Sequence, residues 1–368
     1  MMTKKPKVVL LGKLPPPYMG PSLATQIILN SSLKESIELI HVDTKAYDSL
    51  SELGKFSVKK TIRNISIYLR LLKKCTLNRP QLVLVPISQT TSGFIKDSIF
   101  ILIAKLCFIK VLLQLRGSDF KRWYDGAPLP VRWYVRFIMS LCEGIIVLGN
   151  SLVYLFKDFF TENNIYVSPN GANYEIPKQP KRSNEVKILY LANLQASKGI
   201  EDLLEAVKKL KERGITNFYL DVVGGWRTEI TKNDCTQFVE SNQLPITFYP
   251  PSAGADKFRH LGEADIFVFT PRAPEGHPWV LVESMCAGLP IIGTDRGAMA
   301  ESIMDNKNGF IVGIQSPNEI ADKLQLLIKD EELRLAMGKE SRQLYLTNFT
   351  EEKMVERLKN IFLTVINK

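Results

Sequence analysis

The rhythm of apolar runs constrains this chain more than any other feature. Short, nearly uninterrupted apolar runs alternate with segments long enough for helices, and the whole series occurs twice. Val8–Leu11, Leu39–Val42, Leu82–Pro86, Val111–Leu115 and Ile145–Leu148 make the first series, with helix-length stretches from Ser22, through the basic segment Lys55–Arg79, and near Ile95–Cys107. A run that is apolar at every position suits a strand buried on both faces, and strand–helix alternation gives a parallel sheet covered by helices. The stretch Tyr174–Glu185 (YEIPKQPKRSNE), polar and with two prolines, reads as a linker. The pattern then restarts with strand Val186–Leu191, helix Ile200–Arg213, strand Phe218–Val223, a helix near Lys232–Ser241, strand Ile246–Tyr249 and helix Asp256–Gly262.

At 368 residues the chain is too long for one ordinary core and suits two domains. The expected division is a first Rossmann-like domain over 1–173, a linker over 174–185, a second Rossmann-like domain over 186–348 and a C-terminal helical segment over 349–368. Cys75, Cys107, Cys142, Cys235 and Cys286 are scattered and odd in number, which argues against a disulfide framework and for a reducing compartment. The start, MMTKKPKVVLLG, has too short an apolar run for a signal peptide. Lys96, Asp97, Lys105 and Lys110 interrupt the greasy stretch Phe94–Leu115, so it reads as a buried helix and strand rather than a membrane span. These readings place the protein in the cytoplasm.

The net charge of +10 is lopsided: residues 1–180 hold 24 Lys and Arg against 12 Asp and Glu, and residues 181–368 hold 24 against 26. Within Lys55–Arg79, Lys59, Lys60, Arg63, Arg70, Lys73, Lys74 and Arg79 interleave with Ile62, Ile65, Ile67, Leu69, Leu71 and Leu72. A basic amphipathic helix of this kind suits either peripheral contact with an anionic membrane or packing with a solvated basic face. No pattern of a nucleic-acid reader accompanies it, so nucleic acid is not an expected partner.

The densest chemistry lies in TPRAPEGHPWVLVESMCAGLP. Asp265–Thr270 reads as a buried strand, Pro271–Pro278 as a loop and Trp279–Ala287 as a helix ended by Gly288 and Pro290, with IIGT the next strand. Loops after the strands of a parallel sheet line the ligand crevice, and a helix starting there offers unpaired N–H groups to phosphate. Glu275 lies in the loop and Glu283 inside the helix, so they hold different posts. A loop carboxylate accepts hydrogen bonds from sugar hydroxyls, and one on the first helical turns suits a ribose diol. The bland alternative is a helix-dipole contact for Glu275 and a solvated Glu283. Glu283, however, stands among apolar neighbours in WVLVESMCAG, where a carboxylate needs a partner.

The segment EGHPWVLVESMCAGLPII followed by GAMAESIMDNKNGFIV resembles the donor-site signature of retaining glycosyltransferases of the GT-B architecture, in the large group called family 4. The resemblance runs the length of the chain and is strongest from about Lys187 to Val312. It implies an α/β fold of two Rossmann-like domains facing each other across a cleft, with the C-terminal helix crossing back to the first. It also implies sugar transfer from a nucleoside diphosphate sugar to a hydroxyl acceptor, such as a glycan or lipid-linked intermediate of surface polysaccharide synthesis. By that resemblance Glu275 binds the donor sugar, Lys198 neutralises the leaving diphosphate and Glu283 grips the ribose, with no metal or other cofactor. Gly276, His277, Pro278 and Trp279 complete the donor loop, and the glycine pair Gly224 and Gly225 lies near base and diphosphate.

Three positions depart from the pattern. Asn193 occupies the slot of an arginine, leaving Arg227 or Arg272 to supply the charge. Gly20 stands in Met19-Gly20-Pro21 where relatives have two glycines, and Pro21 has no N–H. Arg116 replaces a histidine before Gly117-Ser118-Asp119, so Arg116 and Asp119 are the acceptor-side candidates, with a helix-capping Asp119 as the alternative. Trp123, Tyr124, Trp133 and Tyr134 suggest an amphiphilic acceptor, or simply core. His41 and His260 read as structural, and no histidine pair has metal-ligand spacing. The rival readings are a non-catalytic GT-B protein that binds nucleotide sugar and a GT-B sugar-nucleotide epimerase or phosphorylase.

Overall fold

The computed structural model describes residues 5–16, 19–45, 58–179 and 184–368, with only the backbone described for 58–61. The chain divides into two compact units, one of residues 1–172 with 351–368 and one of residues 173–350.

The first unit is built on β1 (Lys7–Gly12), β2 (Glu38–Asp43), β3 (Leu82–Pro86), β4 (Lys110–Gln114), β5 (Gly144–Val147) and β6 (Ile165–Val167). All are parallel, in the order β2-β1-β3-β4-β5-β6. Their helices are α1 (Gly20–Asn30), α2 (Leu33–Ser36), α3 (Val58–Asn78), α4 (Thr91–Leu106), α5 (Phe120–Asp125) and α6 (Leu129–Ser140). The strands form because their β-branched and leucine side chains can be buried on both faces. Val8, Leu10, Leu82, Leu84 and Leu112 point to one face, where they form a core with Met354, Leu358, Phe362 and Val365 of the C-terminal helix Glu351–Asn367. The Lys110 ammonium caps that helix by bonding to Val365 O and Ile366 O at 3.2 and 2.9 Å.

The second unit repeats the plan with β7 (Val186–Leu191), β8 (Phe218–Val223), β9 (Ile246–Tyr249), β10 (Ile266–Phe269), β11 (Ile291–Gly293) and β12 (Gly309–Ile311). Its order is β12-β11-β10-β7-β8-β9, again all parallel. Its helices are α7 (Ile200–Glu212), α8 (Glu229–Ser241), α9 (Gly254–Glu263), α10 (Trp279–Cys286), α11 (Pro317–Lys329) and α12 (Glu331–Asn348), and the C-terminal helix of the first unit is α13. A buried ammonium, Lys187, is held by Asp221 and Glu263, each at 2.8 Å, with His260 3.5 Å from Asp221. Burial holds His260 below its usual pKa, so it is a neutral structural residue.

One sequence expectation needs correction. Residues 174–179 are part of the second unit rather than a free linker. Tyr174 packs edge-on against Phe258, Lys178 bonds to Ala264 O at 2.7 Å, and Gln179 N bonds to Gly262 O at 3.0 Å. The cause is Tyr174 and Ile176, two apolar side chains within a polar-looking stretch that pack on the core. Of the expected linker, 180–183 lie outside the described residues, as do 55–57 of the basic segment.

Candidate functional site

In the second unit the chain leaves β7 to build β8 and β9 on one side, then returns to place β10 on the other side of β7. The loops after β7 and β10 therefore diverge at the switch point of the sheet, where open α/β folds bind ligands. Lys198 follows β7 and Glu275 follows β10. Their side chains form an ion pair, Nζ to Oε1, bringing together residues 77 positions apart.

The backbone fixes that meeting. Arg272 N and Ala273 N both donate to Ser197 O, at 3.0 and 3.2 Å, lacing the two loops together. Tyr190, fully buried on β7, donates its hydroxyl to Lys198 O at 2.8 Å. Gly199 at φ 76° lies so close to the β10 loop that a Cβ would sit 1.9 Å from Thr270 O. On the other side Glu275 bridges to Gly297, and Ala298 N donates to Glu275 O at 3.2 Å. Gly297, at φ 66°, would place a Cβ 1.7 Å from Glu275 O, so only glycine permits the contact.

Glu283 lies in α10, wholly buried, and pairs through Oε1 with the Lys257 ammonium from α9. Burial raises its carboxyl pKa while Lys257 pulls it back down. Its other oxygen, Oε2, is buried without a well-formed hydrogen bond, and the nearby Tyr174 hydroxyl interacts with the carboxylate and helps hold its pKa down. Burial, with Glu283 second, pushes the Tyr174 hydroxyl well above the usual tyrosine range. The solvated alternative for Glu283 is thereby excluded. The sequence signalled that this carboxylate needs a partner, but nothing local named Lys257, which lies 26 residues away on another helix.

The remaining donor-side candidates divide. Gly276 accepts from Ala298 N at 3.1 Å, and Pro278 caps the start of α10, where Trp279 is buried. His277 is turned inward: its Nε2 lies 2.8 Å from Ser302 Oγ and its ring stacks on Phe349 at 5.1 Å. An aromatic and a hydroxyl inside the unit hold it, so it is a support of the loop. Gly224 is required by packing, since a Cβ there would lie 1.8 Å from Ala192 O, and Gly225 lies against Pro251. Asn193 is exposed. Of its two suggested substitutes, Arg272 is already taken, bonded twice to Asp202 at 2.8 and 2.7 Å and to Glu201 at 2.8 Å. Arg227 is exposed and joined through its backbone N–H to Leu194 O at 3.0 Å, which sets it beside Asn193.

In the first unit Gly20 is exposed at the first turn of α1, a turn fastened by Met19 N and Ser22 Oγ at 3.0 Å. Arg116 follows β4 and is mostly buried, yet it makes no ion pair or hydrogen bond with a described residue. Burial alone pushes its guanidinium down to about 10. Asp119 is exposed and starts α5 without capping it through its side chain; its N–H is held by Gln89 Oε1 at 2.5 Å. Among the aromatics, Trp123, Tyr124 and Tyr134 pack with Phe94, Phe120 and Phe159, whereas Trp133 is 76% exposed. Tyr124 is thus core, and Trp123 and Tyr134 are half-buried at its edge. Among the described residues no group of three His, Cys, Asp or Glu could hold a metal ion, and no helix is long and apolar enough to cross a membrane.

Comparison with known proteins matches residues 173–344 to the family described as glycosyl transferases group 1. The N-acetyl-alpha-D-glucosaminyl L-malate synthase of Bacillus anthracis is 34% identical over 271 residues, covering 70% of this chain and 68% of that protein. The capsular polysaccharide biosynthesis glycosyltransferase CapM of Staphylococcus aureus is 25% identical over 63% of this chain. The match spans 64% of CapM, less than two thirds of its length. In structure, Anabaena HepE solved in complex with UDP aligns with TM-score 0.76 at 13% identity, over 98% of this chain and all of that one. The likeness to HepE establishes the shared fold.

Proposed function

The chain belongs to the group 1 glycosyltransferases and has the GT-B fold, and on that premise we propose that it transfers a sugar from a nucleoside diphosphate donor to a hydroxyl acceptor with retention at the anomeric carbon. The Lys198–Glu275 pair at the switch point carries this reading. A carboxylate and an ammonium held together on glycine-fitted loops are ready to part around a ligand that needs both. Glu275 takes the hydroxyls of the donor sugar, and Lys198 turns to the β-phosphate. In the reacting step the acceptor oxygen bonds to C1 as the C1–O bond to the β-phosphate breaks. The acceptor proton passes to the departing phosphate on the same face of the sugar, and Lys198 stabilises the charge left there.

Glu283 supports the same assignment. In this reading its buried Oε2, which faces the Tyr174 hydroxyl, exchanges that hydroxyl for one of the ribose. Near Asn193, Arg227 supplies the second cation for the diphosphate. The UDP bound by HepE makes UDP-sugars the first donors to test, and the capsular and malate relatives point to a glycan or a small hydroxyl compound as acceptor.

The test uses labelled UDP-, GDP- and ADP-sugars with the wild type and Glu275→Ala. One donor should raise the melting temperature and be turned over, and the variant should lose at least about a thousandfold in rate with an unchanged circular dichroism spectrum. Undiminished turnover by the folded variant refutes the assignment. Donor binding without transfer or hydrolysis in the wild type would make the chain a nucleotide-sugar binder.

A further inference from the structure

Helix α3 has two apolar sides. Ile67, Leu71 and Cys75 are buried in the first unit, but Ile62, Ile65, Leu69 and Leu72 are 62%, 51%, 60% and 40% exposed. These four are spaced three and four residues apart, so they form one stripe along the outer side of the helix. By the same helical geometry Arg70, Lys73 and Lys74, all exposed, run along one border of that stripe. The helix carries six basic residues and no acidic one.

The stripe is not alone. Helix α4 lies between α3 and α6: the Tyr68 hydroxyl donates to Lys96 O at 3.3 Å on one side, and Ser98 Oγ meets the Tyr134 hydroxyl at 2.5 Å on the other. On α6, which also lacks any acid, Leu129, Trp133 and Phe137 are spaced four apart and are 67%, 76% and 56% exposed. One helical layer therefore presents two apolar rows and much of the positive charge of the first 180 residues.

We propose that the outer face of the α3–α4–α6 layer is a docking surface for an anionic lipid bilayer, with the aliphatic and aromatic rows entering the interface and the α3 cations meeting lipid phosphates. Charge decides between occupants. A second copy of the chain docked face to face would set one acid-free basic helix against another, an arrangement that repels. Nucleic acid would satisfy the cations but leave the aliphatic row against phosphate and water. An anionic bilayer satisfies both sets at once, and Trp133 has the amphipathic ring that favours the headgroup level. Attachment of this kind does not depend on whether the chain transfers sugar.

The full-length protein is sedimented with phosphatidylcholine vesicles, with and without phosphatidylglycerol. Binding should require phosphatidylglycerol. Arg70→Gln with Lys73→Gln should weaken it on the order of 25-fold at low salt, since each basic residue near the surface contributes about fivefold. Ile65→Asp with Leu69→Asp should abolish it at any salt. As a readout that does not depend on the folding of that pair, wild type and Trp133→Phe are also compared by quenching of tryptophan fluorescence with brominated lipid, which should fall in the variant. Absence of binding to phosphatidylglycerol vesicles, binding unaffected by both double substitutions, or quenching unchanged in Trp133→Phe overturns the proposal. So does a dimer in light scattering that Leu69→Asp dissociates, which would make the face an interface between copies.

Discussion

The carboxyl edges of the two sheets have the same design and opposite electrostatics. In the second unit three matched sets of charges lie near the switch point: Lys198 with Glu275, Lys257 with Glu283, and Arg272 with Asp202 and Glu201. In the first unit, whose switch point falls between β1 and β3, Arg116 stands after the neighbouring β4 without a described partner. A matched edge is ordered before ligand arrives, so its residues act by exchanging partners. An unmatched, mostly buried guanidinium instead waits for an anion, because desolvation without a counter-charge is costly. Under the proposed function, this contrast would give the chemistry to the second edge and recognition of a charged or strongly polar group to the first.

The largest effect expected from this contrast is on Lys198. Lys198→Met should lower kcat by about 10²–10³ while donor affinity changes much less, as when a group that stabilises transition-state charge is removed. Steady-state kinetics with saturating donor checks this, and a change confined to KM would move Lys198 from chemistry to binding.

Next is the buried pair. Lys257→Met leaves the Glu283 carboxylate unpaired and should destabilise the fold by about 3 kcal/mol in urea denaturation, with Glu283→Gln restoring most of the loss. The pH dependence gives a second reading. Burial holds the Glu283 pKa above its unfolded value, so the folded state keeps the proton to higher pH, and stability is lost as pH rises through that window. Lys257 opposes this shift, so the variant should lose stability more steeply with rising pH than the wild type. A flat profile in the variant would mean that Glu283 ionises in the folded chain as readily as in the unfolded one.

This pair also marks the limit of what could be read from residues alone. The parallel strands were legible because runs such as VKILYL and DIFVFT are apolar throughout, and Glu275 and Lys198 because each stands in a loop directly after such a run. Local pattern carries that information. What joins distant segments does not appear in a local pattern: Lys257 as the partner of Glu283, Gly297 as the seat of the Glu275 backbone, and Arg272 diverted to α7. His277 illustrates the same limit. Its place in the donor loop suggested sugar, but Ser302 and Phe349, far along the chain, hold the ring. Tyr174 was hidden for another reason: prolines and charges around it gave the stretch a linker's composition.

A smaller effect is expected at the first edge. Arg116→Gln keeps hydrogen-bonding capacity without charge, and it should raise the acceptor KM about tenfold with donor binding unchanged. Isothermal titration with the donor nucleotide, beside kinetics varied in acceptor, separates the two. If Arg116→Gln weakened the nucleotide instead, the division of labour between the edges would fail.

The smallest effect concerns Arg227. Its side chain is exposed, and an exposed cation contributes little because water and salt screen it, about 0–1 kcal/mol. Arg227→Gln should therefore slow turnover by no more than about fivefold, and the loss should shrink at high salt. Asn193→Arg, introduced into the same variant, should recover the rate, since the backbone bond from Arg227 N to Leu194 O sets the two positions side by side. If Arg227→Gln had no effect at low salt and Asn193→Arg alone still accelerated the reaction, the chain would be working with Lys198 as the only cation at the diphosphate. The matched edge would then be even more economical than the comparison with Arg116 implies: one lysine, released from one glutamate, serving the whole leaving group.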